Sequence, residues 1–133
     1  MENTGKPKNT KMAYLFLEGI DVYIEIGVNP EEHGREQRLT IDVEVGFDDA
    51  KTHIHDSKEG LENSGFDYAL IRDCVHAATR KRTYLLETIA NSIADNILAL
   101  PGALTCALKV SKTRCWADVD RTGVKIFRER ANF

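Results

Sequence analysis

Apolar and polar residues alternate with period two over two stretches in the first half of the chain. Ile20, Val22, Ile24, Ile26 and Val28 alternate with Asp21, Tyr23, Glu25 and Gly27. Leu39, Ile41, Val43, Val45 and Phe47 alternate with Thr40, Asp42, Glu44 and Gly46. Successive side chains of a strand point to opposite faces, so each run predicts a strand with one buried face and one wetter face. The segment between them, Asn29-Pro30-Glu31-Glu32-His33-Gly34-Arg35-Glu36, carries turn-forming residues. Together the runs predict a long antiparallel pair. The polar stretch 48–64, with Gly60 and Asn63, predicts an irregular connection.

The period then changes. Asp67 can cap a helix, because its carboxylate can accept a free N–H of the first turn. Ile71, Cys74, Val75 and Ala78 follow at helical spacing. Arg80-Lys81-Arg82 reads as a solvated basic junction. Thr83 is the expected cap of a second helix, with Leu86, Ile89, Ala90, Ile93 and Ile97 on one face and Pro101-Gly102 as the stop. Alternation returns with Leu104, Cys106, Leu108 and Val110 against Thr105, Ala107, Lys109 and Ser111. A loop over 113–120 and a last strand over 121–128 complete the reading. The order β-β-α-α-β-β predicts an α+β fold, an antiparallel four-stranded sheet with both helices on one face. The other face carries Tyr23, Ala107 and Phe127 among charged residues, and the edge strands need partners. Closing several sheets into a barrel meets both needs, so a homo-oligomer is expected; a monomer with a solvated outer face is the alternative.

Bulk properties narrow the classes. The 133 residues suit a single domain over 13–133 behind a polar tail, 1–12, that lacks the apolar centre of a secretion signal. A net charge of -3 offers no basic field for a nucleic acid. No apolar run reaches membrane-spanning length. Cys74, Cys106 and Cys115 form no C-x-x-C pair and are read as reduced thiols of a cytoplasmic protein.

Several residues could carry chemistry. Lys112 continues the parity of the apolar run 104–110, and a lysine in partly apolar surroundings can serve as a base; a strand that has already ended would leave it in solvent. Glu87 follows Leu85-Leu86 and either complements the helix dipole or accepts from a planar N–H/NH₂ edge. Tyr68 either packs or offers a stacking surface. Glu32 and Gln37 flank the first loop and need no role as surface residues. His53 and His55 suggest a metal, but their stretch is loop-like and supplies no third ligand, so none is expected. Cys115 has no activating base tied to it by spacing.

Taken in order, Gly27-Val28-Asn29-Pro30-Glu31-Glu32 with Gln37, Phe66-Asp67-Tyr68-Ala69, Leu85-Leu86-Glu87-Thr88-Ile89-Ala90, Val110-Ser111-Lys112 and Gly123-Val124-Lys125-Ile126 resemble the dihydroneopterin aldolase family. The resemblance runs from about Leu15 to Arg130. It implies the tunnelling fold, a ring tetramer or stacked octamer with active sites between subunits, and catalysis without a cofactor. Residue by residue, it implies that Glu87, helped by the backbone near Leu86, anchors a pterin ring. It makes Lys112 the proton-handling group, puts Glu32 beside it, and has Tyr68 reach in from a neighbouring subunit. Val28, Asn29 and Phe66 would line the pocket. The implied reaction is retro-aldol cleavage of 7,8-dihydroneopterin in folate biosynthesis. A 2'-epimerase of dihydroneopterin or its triphosphate, and a non-catalytic pterin-binding oligomer, are the alternatives. Two features depart from the family: Thr113 stands where many relatives have proline, and the connection 47–66 is long.

Overall fold

The computed structural model describes residues 11–32, 34–49 and 67–131. The strands are β1 (Met12–Glu25), β2 (Glu36–Asp48), β3 (Thr105–Trp116) and β4 (Val119–Glu129). Two helices, α1 (Tyr68–Ala78) and α2 (Leu86–Leu98), fall between β2 and β3, and a short 3-10 turn covers Pro30–Glu32. The strands form one antiparallel sheet in the order β1-β2-β3-β4. The expected β-β-α-α-β-β architecture is present. The expected tail, the connection beyond Asp49, His53, His55 and Phe66 lie outside the described residues.

The core lies between the sheet and the helices. Ile41, Val45, Cys106 and Val110 face it from the sheet, and Ile71, Val75, Ile89, Ile93 and Ile97 from the helices, each fully buried. Burying one such isoleucine contributes roughly 1.5–3 kcal/mol relative to exposure. These are the residues whose period-two and helical spacing predicted the inward faces. Asp67 caps α1 as expected, its Oδ1 accepting from Leu70 N at 3.2 Å. Beyond α2, Gly102 adopts φ 89°, a backbone conformation that L side chains rarely take.

β1 is longer than the alternation predicted. It begins at Met12, where Leu15 and Leu17 are half-buried while Tyr14 and Phe16 stand exposed on the outer face. Large apolar residues on both faces hide the period. A bulge between Leu17 and Ile20 follows, where Gly19 takes φ 71° and its N–H donates to Asp42 Oδ1 at 2.7 Å. Tyr23 and Phe127 are exposed on the uncovered face, as expected. Among the described residues no helix is long and apolar enough to cross a membrane.

Candidate active site

A cavity of about 600 Å³ opens where the C-terminal ends of β1 and β3 meet the start of α2. Its first wall is the chain leaving β1: Ile26, Gly27, Val28 and Asn29. The ladder with β2 ends at Glu25, and Ile26 instead bridges Thr83 in parallel. Thr83 N donates to Glu25 O at 3.2 Å and Gly27 N to Thr83 O at 3.3 Å. Gly27 then turns the chain at φ 129°, which leaves Val28 61% exposed at the cavity. Val28 therefore does not continue the buried face, contrary to the alternation. Gln37, far from being an idle surface residue, donates from Nε2 to Ile26 O at 2.7 Å and closes the intervening loop.

The second wall is Tyr84, Leu85, Leu86 and Glu87, at the start of α2. Thr83 does not cap this helix. Its backbone is engaged by the bridge and its hydroxyl donates to Lys81 O. The N-cap is Leu85, which makes no side-chain cap bond. First-turn N–H groups have no intrahelical acceptor, so those of Leu86 and Glu87 lie at the cavity wall without a capping side chain, and Glu87 is exposed beside them. The Arg80-Lys81-Arg82 junction is only partly solvated. Arg80 and Lys81 are exposed, but Arg82 turns inward to Glu25.

The third wall comes from the β3–β4 hairpin. Lys112 pairs with Leu39 on β2 and Thr122 on β4, and it is half-buried at the cavity. The strand has not ended at Lys112. It continues to Trp116, and a two-residue turn at Ala117-Asp118 replaces the expected loop over 113–120. A bulge sits between the Thr113–Arg121 and Trp116–Val119 pairs, with Arg114 at φ 56°. A bulge changes which way side chains point. Here Cys115 and Trp116 both line the cavity, while Arg114 pairs with Asp120 at 3.2 Å and donates to Ala117 O at 3.3 Å.

Of the residues marked from sequence, Lys112, Glu87, Leu86, Val28 and Asn29 converge on this one cavity. Glu32 ends the 3-10 turn that follows Asn29. Tyr68 is not among them. It opens α1, 60% exposed, and does not line the cavity of its own chain. Sequence reasoning missed Tyr84, Arg35, Thr122 and Trp116 as lining residues. Only Tyr84 had a local signal, its position two residues before Leu86. Among the described residues no group of three or more His, Cys, Asp and Glu is placed to hold a metal ion.

The family model for dihydroneopterin aldolase matches residues 15–127. The chain belongs to the dihydroneopterin aldolase family. The resemblance drawn from scattered residues thereby becomes family membership. The dihydroneopterin aldolase of Escherichia coli (strain K12) is 30% identical over 122 residues, spanning 91% of this chain and 95% of that protein. The structure of dihydroneopterin aldolase from Burkholderia thailendensis bound to guanine aligns with a TM-score of 0.76 at 28% identity, covering 89% of this chain and 91% of that one. The E. coli enzyme in complex with neopterin aligns with a TM-score of 0.76 at 29% identity, covering 87% and 98%. These matches fix the fold as that of dihydroneopterin aldolase.

Proposed function

We propose that the cavity binds 7,8-dihydroneopterin and cleaves it to 6-hydroxymethyl-7,8-dihydropterin and glycolaldehyde. The observation that carries this reading is that Glu87 and Lys112, 25 positions apart in sequence, line one cavity within a chain of this family. Guanine and neopterin, bound by the two structural relatives, share a 2-amino-4-oxopyrimidine edge. A carboxylate is the natural acceptor for the paired N–H and NH₂ of that edge, and Glu87 supplies one. The N–H groups of the first turn of α2 suit an adjacent carbonyl oxygen. Tyr84 and Trp116 add flat apolar surface.

Cleavage requires an electron sink, and the dihydropterin carries its own in the conjugated imine. Lys112, directly or through water, removes the 2'-hydroxyl proton. The O–H electrons form the aldehyde carbonyl, the C1'–C2' bond breaks, and its electron pair passes into the imine to give an enamine. A proton returned to C1' yields the hydroxymethyl product. Glu32 orients the lysine. A Schiff base on Lys112 plays no part in this scheme.

Tyr68 enters the scheme through assembly. Because it is exposed and lies away from its own cavity, its part in returning the proton would be played at the cavity of a second copy. The exposed aromatic residues of the outer sheet face fit a ring tetramer or octamer. Mixing inactive Lys112→Ala and Tyr68→Phe proteins tests this: assemblies that exchange subunits should regain activity. Incubation with dihydroneopterin and its triphosphate, with products resolved by chromatography, tests the reaction. Glycolaldehyde release is expected. Conversion of the 2' centre alone indicates the epimerase, and tight binding without product indicates a pterin-binding oligomer.

A further inference from the structure

The basic junction before α2 looked like a solvated turn, yet one of its residues is built into the protein. Arg82 donates from Nε to Glu25 Oε2 at 2.6 Å and from Nη2 to Gly27 O at 2.7 Å. Its guanidinium also lies 4.5 Å from the centre of the Tyr84 ring. These contacts reach both of the first two cavity walls: Gly27 belongs to the segment leaving β1, and Tyr84 to the segment entering α2. Two backbone bonds at Thr83, from Thr83 N to Glu25 O and from Gly27 N to Thr83 O, also join those segments. Gly27 itself sits at a positive φ, so its peptide needs outside contacts to hold one orientation.

We propose that Arg82 is a positioning residue that sets the separation and angle of the Gly27–Asn29 and Tyr84–Glu87 walls, and so the affinity of the cavity for a flat bicyclic ring. The inference rests on the functional reading above and names a residue outside the reacting groups. The planar fork of arginine matters, because it spans a carboxylate and a carbonyl while lying over a ring, whereas lysine offers a single point charge. Lys112 reaches the cavity from β3, whereas these Arg82 contacts lie on the other two walls, so the chemical step should be largely spared.

The test compares Arg82→Ala, Arg82→Lys and Glu25→Gln in the full chain, with neopterin as the binding probe. Arg82→Ala should raise the neopterin Kd and the dihydroneopterin KM about 10-fold or more, with kcat at saturation within roughly 3-fold of the parent. Arg82→Lys should recover part of that loss, and Glu25→Gln should add little in the Arg82→Ala background. An unchanged Kd and KM, or a kcat that falls with the thermal midpoint while KM stays constant, would overturn the proposal. Hydrogen exchange at the amides of Gly27 and Thr83 reads the clamp without a ligand. Faster exchange in Arg82→Ala supports it, and unchanged exchange overturns it. Parent protein that binds no neopterin overturns the functional reading and the ligand part of this one, while the exchange result still decides whether Arg82 holds the walls.

Discussion

Leu39 and Lys112 stand directly opposite each other across the β2–β3 ladder, one wholly buried and the other half-buried at the cavity. Directly opposed residues share a face and bring their Cβ atoms within about 4.5–5.5 Å. The stem of Lys112 is therefore anchored beside the edge of the core, at the wall of the cavity. A side chain fixed at its base can deliver a proton-transfer group to one place, which acid–base catalysis demands.

Replacing Lys112 with alanine should lower turnover by ~10²–10⁴ and leave neopterin binding nearly intact. Steady-state rates on dihydroneopterin, measured beside a direct binding titration, check this. Borohydride treatment of the native protein with substrate should trap no adduct, since the scheme forms no imine on the lysine.

Glu87→Ala should do the reverse. A hydrogen bond to a charged group contributes roughly 1.5–3 kcal/mol, so losing a two-pronged acceptor should weaken neopterin roughly 10²-fold or more. The substituted residue is exposed in the first turn of α2, so the thermal midpoint should shift little. Equal losses in binding and folding would contradict this assignment.

Gly123→Ala should destabilise the sheet beside β3. Gly123 pairs with Ser111, and an added Cβ would collide with the Val110 carbonyl oxygen and lie 2.7 Å from Ser111 Cα. Backbone cannot step aside as a flexible side chain can, so the cost should be about 1–3 kcal/mol or more. Denaturant unfolding measures it, and activity should fall as well because Lys112 is the next residue along.

The three thiols should separate by reactivity. Cys115 is exposed, whereas Cys74 and Cys106 are buried. Burial pushes the Cys106 thiol up to about 12, and burial, with the Asp73 carboxylate, raises that of Cys74. A disulfide reagent at pH 8 should label Cys115 in the native protein and the other two only after unfolding. Because the folded Cys106 value lies above the ordinary thiol value of about 8.5, its contribution to stability is fully present below that pH. It is lost as pH rises from there through about 12, since only the unfolded chain ionises. Cys106→Ala should flatten this alkaline decline; an unchanged slope would assign it to other groups.

What the chain determined by itself was local. Ile41, Val43 and Val45 at period two, and Ile89, Ile93 and Ile97 at helical spacing, announce faces that must be buried, because side-chain direction follows from backbone geometry within a few residues. Asp67 announces its cap for the same reason. The element order and the sheet followed, and so did Lys112, Glu87, Leu86, Val28 and Asn29 as candidates, although only family likeness joined them. Tertiary structure decided what depends on contacts far apart in sequence. Thr83 gave up the cap because Glu25 and Gly27 claimed its backbone. Arg82 left solvent for Glu25, and the bulge at Arg114 turned an expected loop into a strand carrying Trp116 to the cavity. Each outcome depends on which distant partner the folded chain places beside a backbone group or charge, and no local period encodes that choice.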